Sequence, residues 1–117
     1  MEHEVTLTEA NFAEEIEQFD GVALVDFWAS WCPPCRAMGP VIEKIADENA
    51  ENVKVKVCKL DVDANEGLSQ RFGARSIPTF LIFKAGKVVS TAIGITPQMK
   101  LQEQLDLALA GAMPEVA

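Results

Sequence analysis

Val22-Ala23-Leu24-Val25-Asp26-Phe27-Trp28-Ala29-Ser30-Trp31-Cys32-Pro33-Pro34-Cys35 is the stretch whose reading decides the fold. Its first seven residues form a nearly continuous apolar run, the composition of a strand buried on both faces of a sheet. Gly21 breaks the chain just before it, and a single charge, Asp26, sits in its middle. After the two cysteines, Met38, Val41, Ile42, Ile45 and Ala46 recur at helical spacing to about Asn49, with Pro40 inside the pattern where a kink is expected. The run Val53 to Val62 then places valines at alternate positions over its first half, the period of a second inner strand. A crossover long enough to hold a helix joins such strands in parallel and right-handedly, so this region predicts a βαβ unit.

Working outward, Val5-Thr6-Leu7 predicts a short strand. Thr8 stands as a cap before an amphipathic stretch from Asn11 to Phe19, with Phe12, Ile16 and Phe19 on one face. Downstream, 65–72 predicts a short helix that Gly73 ends in a left-handed turn. Thr79 to Lys84 and Lys87 to Ile93 flank Ala85-Gly86, a tight hairpin loop, and so pair antiparallel. Thr96 and Pro97 start a closing helix that carries Leu101, Leu105, Leu107 and Leu109. The order β-α-β-α-β-α-β-β-α predicts an α/β domain over residues 1–110. Its sheet is central and mixed, with about five strands flanked by about four helices, and 111–117 is a short frayed tail.

Composition narrows the partners. A chain of 117 residues with 49% hydrophobic content supports one domain with a sizeable core. A net charge of -8 would be repelled by nucleic acid and by an anionic membrane surface, so neither is expected as a partner. No apolar run approaches the roughly 18 residues that span a bilayer, and Met1-Glu2-His3-Glu4 is acidic where a secretory signal would be basic. The expected location is the cytoplasm. Three cysteines are too few for a disulfide-stapled mini-protein, which leaves catalysis or metal binding.

Cys32 falls just past the carboxyl end of the central strand and at the start of the next helix, where reacting groups collect in α/β sheets. Unpaired amides and the positive end of the macrodipole favour a thiolate there. Cys35, one turn inward, can close a disulfide with Cys32 or donate its S–H to the Cys32 thiolate. That makes Cys32 the attacker and Cys35 the resolver of a mixed disulfide. Zinc is the competing use of such a pair. A structural zinc site needs four ligands, however, and only Cys58 and His3 remain to complete one, so no metal is expected. Cys58 itself, in an alternating valine strand, reads as a buried core thiol.

The chain resembles the thioredoxin family over roughly residues 4–110. Val25-Asp26-Phe27-Trp28-Ala29 followed by Ser30-Trp31-Cys32 and Pro34-Cys35-Arg36 resembles the family's active-site segment in order and spacing. Ser76-Ile77-Pro78-Thr79 resembles its cis-proline loop, and Pro40, Lys59, Gly86 and Gly94 also fall on family positions. The resemblance implies a thioredoxin fold and a protein thiol-disulfide oxidoreductase that reduces protein disulfides. Its only redox group would be the Cys32–Cys35 disulfide, with no cofactor. It further implies a monomer recharged by thioredoxin reductase, an NADPH-dependent flavoprotein.

Residue by residue, the resemblance implies a cis peptide at Pro78 that leaves the neighbouring backbone free to pair with an extended substrate. Asp26, costly in an apolar strand unless paired or protonated, should have a raised pKa. By resemblance it accepts the Cys35 proton through water, with Lys59 moderating its charge. Trp31, Pro33, Pro34, Ile77, Gly94 and Ile95 would form a flat apolar docking surface, and Trp28 would pack on the active-site helix. If the Cys32 thiol falls from about 8.5 to about 7, the value usual in the thioredoxin family, its thiolate fraction at pH 7 rises from roughly 3% to roughly 50%. Lower intrinsic nucleophilicity offsets most of that gain, so the main benefit is as a leaving group.

One position departs from the family: glycine is usual between Cys32 and Pro34, and here Pro33 stands. Proline suits a first helical turn. Its stiffness shifts the relative strain of dithiol and disulfide in either direction, and about 30 mV would correspond to about 1.4 kcal/mol. Two other roles compete with a reductant. One is an oxidase or isomerase with a more oxidising couple. The other is a binding subunit that serves a partner through its apolar face.

Overall fold

The computed structural model describes residues 3–115. Five strands form one mixed sheet: β1 (Val5–Thr6), β2 (Val22–Trp28), β3 (Val55–Asp61), β4 (Thr79–Lys84) and β5 (Lys87–Ile93), in the spatial order β1-β3-β2-β4-β5. Three α-helices, α1 (Pro33–Glu48), α2 (Glu66–Arg71) and α3 (Gln98–Leu109), join a π-helical turn at Ala13–Glu17. This is the mixed α/β sheet that the element order predicts, in the thioredoxin fold that the resemblance implies. β2 lies at the centre, parallel to β3 and antiparallel to β4.

The continuous apolar character of β2 has its cause in this placement. Val22 and Leu24 face α1 and α3, packing with Met38, Ile42, Ile45, Leu101 and Leu105. Ala23, Val25 and Phe27 face the other layer, packing with Leu7, Phe12, Ile16 and Leu68. Each fully buried aliphatic or aromatic side chain contributes about 1.5–3 kcal/mol, so a strand covered on both faces is the most strongly held part of the molecule. That rigid strand ends at Trp28, just before the cysteines, and the Val62 amide bonds back to the Trp28 carbonyl at 2.9 Å.

Local chemistry accounts for the differences from expectation. The stretch predicted as a helix from Asn11 to Phe19 forms only the short π-helical turn. Thr8 and Asn11 cap each other reciprocally ahead of it, Thr8 N–H to Asn11 Oδ1 at 2.7 Å and Asn11 N–H to Thr8 Oγ1 at 3.3 Å. Its apolar residues Phe12, Ile16 and Phe19 still pack on the sheet together. β3 begins at Val55 and not Val53, because Asn52 holds a turn by accepting the Lys54 amide and leaves Val53 84% exposed. The closing helix is preceded by Pro97, and Thr96 does not cap it: the Thr96 hydroxyl donates to the Gly94 carbonyl at 3.0 Å. Ala85 and Gly86 both take positive φ, as a hairpin loop that follows the strand twist requires. In the segment 111–117, Met113 packs against the core, and residues 116–117 lie outside the described residues.

Candidate active site

Cys32 is the N-cap of α1 and Pro33 and Pro34 are its first two residues, so Cys35 takes the third helical position. The backbone reason is direct: proline has no N–H to lose at a helix start and its φ is already helical. The two cysteines form a disulfide, with their α-carbons 5.2 Å apart. The Cys35 amide donates to Cys32 Sγ at 3.3 Å, a sulfur in the role usually held by a serine or aspartate oxygen. Both cysteines are almost fully buried, packed with Ala29 and against Trp28, Val62 and Ile77.

The loop before β4 closes the other side. Ile77-Pro78 is a cis peptide. It brings the Ile77 carbonyl oxygen to 3.7 Å from Cys32 Sγ. The Gly94 amide donates to the Pro78 carbonyl at 2.8 Å, which brings the end of β5 alongside. Ile95 follows at 63% exposure, and Trp31, across the cysteines in sequence, is 65% exposed. The fold thus collects Cys32, Cys35, Ile77, Pro78 and Gly94 from three separate chain segments at one end of the sheet.

Two residues near this site escape a reading of the sequence. Asp63 accepts the Trp31 indole N–H at 2.7 Å and so fixes the tryptophan ring. Asp61 sets that position by accepting the amides of Asp63 and Ala64 with its own carboxylate. An aspartate two residues past a strand end is a weak signal. Ile93, paired with Thr79 beside Pro78, adds a 62% exposed apolar side chain.

Asp26 is buried, 3% exposed, and its neighbours across the sheet are Lys59 on β3 and Phe80 on β4. Burial pushes its carboxyl from 3.8 up to about 7, with Lys59 pulling it down and Glu4 pushing it further up. Lys59 also lies over the Trp28 ring, 4.7 Å from its centroid. Cys58 points into the opposite layer, fully buried and unbridged. Burial pushes its thiol up to about 12. A thiol reagent at pH 8 should therefore modify Cys58 at least about fiftyfold more slowly than a free thiol, since the loss of thiolate outweighs the greater nucleophilicity of a high-pKa thiolate. Rapid labelling of the folded, oxidised protein would contradict this.

No cluster of three or more histidine, cysteine or acidic side chains among the described residues could hold a metal. Cys58 lies in the layer away from the disulfide, and His3 pairs with Asp47 at 2.7 Å near the far end of α1. Among these residues, no helix is long and apolar enough to cross a membrane.

A sequence model of the family described as Thioredoxin matches residues 3–107. The chain belongs to the thioredoxin family. The thioredoxin of Alicyclobacillus acidocaldarius subsp. acidocaldarius is 50% identical over 101 residues, covering 86% of this chain and 93% of that protein. The thioredoxin of Chlorobaculum thiosulfatiphilum is 46% identical over 99 residues, 85% of this chain and 90% of its own. That of Pseudomonas aeruginosa is 40% identical over 105 residues, 90% and 95% respectively. As a thioredoxin-family member with a Cys32–Cys35 disulfide at a helix start, the chain is a thiol-disulfide oxidoreductase that works by dithiol-disulfide exchange.

Proposed function

We propose that the chain reduces disulfides of other proteins, with Cys32 as nucleophile, Cys35 as resolver and Asp26 as proton acceptor. The observation that carries this reading is the cysteine pair itself: Cys32 caps α1, receives the Cys35 amide and lies beside the Ile77 carbonyl. In the reduced protein the Cys32 thiolate attacks a substrate disulfide. A mixed disulfide forms, and one substrate sulfur leaves as thiolate. Cys35 then gives its proton to Asp26 through water and attacks Cys32 Sγ. This closes the Cys32–Cys35 disulfide and releases the second substrate thiolate. Two electrons pass to the substrate and two are lost by the protein. Lys59 steadies the charge that Asp26 carries between turnovers.

The exposed apolar rim formed by Trp31, Pro33, Pro34, Ile77, Ile95 and the backbone at Gly94 is where a protein substrate docks, with Pro78 holding the loop that meets it. An NADPH-dependent flavoprotein, thioredoxin reductase, supplies the electrons, and the protein works as a cytoplasmic monomer without a cofactor. Residues 1–110 make the working domain, with 111–117 a short tail. A reductase-coupled insulin assay together with a titration against glutathione tests this. Turnover with a potential of roughly -270 mV is the expected result, and a potential near roughly -120 mV, that of a strong oxidant, would overturn it.

A sign for the effect of Pro33 follows from the same reading. Pro33 is the first residue of α1, and Pro33→Gly restores backbone freedom there that the closed disulfide restricts and the dithiol does not. The change favours the dithiol over the disulfide. The equilibrium with glutathione should move toward the dithiol by about two- to fivefold, or about 10–20 mV. A potential that stays put or becomes more negative would show that this effect does not operate.

A further inference from the structure

Glu4 takes no part in the scheme above. It immediately precedes β1, in which Thr6 is aligned with Lys59, and Lys59 is aligned with Asp26. Side chains alternate along a strand, so Glu4, two residues from Thr6, is on the face that Thr6, Lys59 and Asp26 share. Oε1 of its carboxylate is shielded from solvent, where charges are weakly screened. Immediately around Asp26 the face is apolar, since β4 sets Phe80 beside it and α1 and α3 cover it with Met38, Ile42, Leu101 and Leu105; its other charged positions are Asp61, two residues past Lys59 on β3, and Lys84 at the far end of β4, whose Nζ donates to the Ala108 carbonyl. From α1 the reduced Cys35 thiol is the titratable group at the site.

We propose that Glu4 is a positioning residue for the proton transfer, the outer member of a charge row that runs diagonally from Glu4, just before β1, through Lys59 on β3 to Asp26 on β2 and sets how tightly Asp26 holds its proton. Lys59 weakens that hold and Glu4 strengthens it, in keeping with the opposite signs of their influence on Asp26. The pair brings a buried carboxylate to a proton affinity suited to accepting from a thiol near neutral pH. The proposal rests on the reading of Asp26 as proton acceptor, and the test separates the two.

Titration of the Asp26 carboxyl by carbon NMR in the oxidised full chain is the measurement. In Glu4→Gln the midpoint should fall by about half a pH unit, a loss of about threefold in proton affinity. Neutralising Glu14, an exposed acid on the π-helical turn in the other layer, should leave it in place. If Glu4→Gln weakens the fold, Glu4→Asp draws the charge back by one methylene and should give a smaller fall. A midpoint unmoved in a folded Glu4 variant, or moved equally by Glu14→Gln, would overturn the proposal. A shifted midpoint with a matching shift in the pH profile of insulin reduction supports it. A shifted midpoint with an unchanged profile supports the charge row and removes Asp26 as proton acceptor.

Discussion

Cys32→Ser is expected to reduce insulin reduction to the uncatalysed background, a loss of at least about 10³-fold, while leaving the fold intact. Serine cannot form a disulfide with substrate, so the first exchange step has no counterpart in the variant. The fold survives because serine is itself a preferred N-cap, able to accept the Cys35 amide that now reaches Cys32 Sγ. The proper reference is the reduced protein. A disulfide spanning so short a loop stabilises the oxidised form by about 2 kcal/mol in the chain-entropy account, which both the variant and reduced protein lack. Cys35→Ser should behave differently: attack proceeds, resolution stops, and a stable mixed disulfide with substrate accumulates and is visible by mass spectrometry. Trapping through Cys35 in the Cys32 variant would reverse the assigned roles. Partner function that persisted in Cys32→Ser would favour a binding subunit over a catalyst.

Asp26→Asn is expected to stabilise the protein and slow it. The carboxyl titrates near 7 in the fold and near 3.8 when exposed. Below about pH 4 both states are protonated and the group costs nothing in linkage terms. As pH rises from there to about 7 the unfolded state releases a proton that the folded state keeps. Stability therefore falls across this window and stays low above it. The difference corresponds to about 4 kcal/mol at most. Asparagine still buries a polar group at a position where Asp26 Oδ1 has no hydrogen-bond partner among the described residues. A gain of about 2–4 kcal/mol above pH 7, fading toward pH 4, is the expected result of denaturant titrations of the oxidised proteins. Loss of the proton acceptor should slow release of substrate from the mixed disulfide about ten- to hundredfold, read by stopped-flow. Unchanged resolution together with lost stability would contradict a strained buried base.

Much of this was legible in the chain because the signals are local. The continuous apolar run of β2 and the helical spacing after Cys35 identify the βαβ unit, and two residues of positive φ at Ala85-Gly86 suit the hairpin that makes the sheet mixed. The cysteine spacing, with prolines that suit a helix start, marks the reacting pair. Asp26 declares itself as a charge among apolar neighbours. Element ends were less legible, since side-chain hydrogen bonds decide them: Asn52 delays β3 and the Thr96 hydroxyl turns away from α3.

Convergence of distant segments belongs to the tertiary structure alone. Pro78 lies against Cys32 through the Ile77 carbonyl, Gly94 joins it through one amide bond, and Asp63 fixes Trp31 from the far end of β3. Periodicity reports which face of its own strand or helix a residue occupies, but not which residue of another element lies opposite. Strand register supplies that second fact. It aligns Lys59 with Asp26 and places Glu4 on their face, so the proton affinity of the buried carboxylate is a property of three strands together.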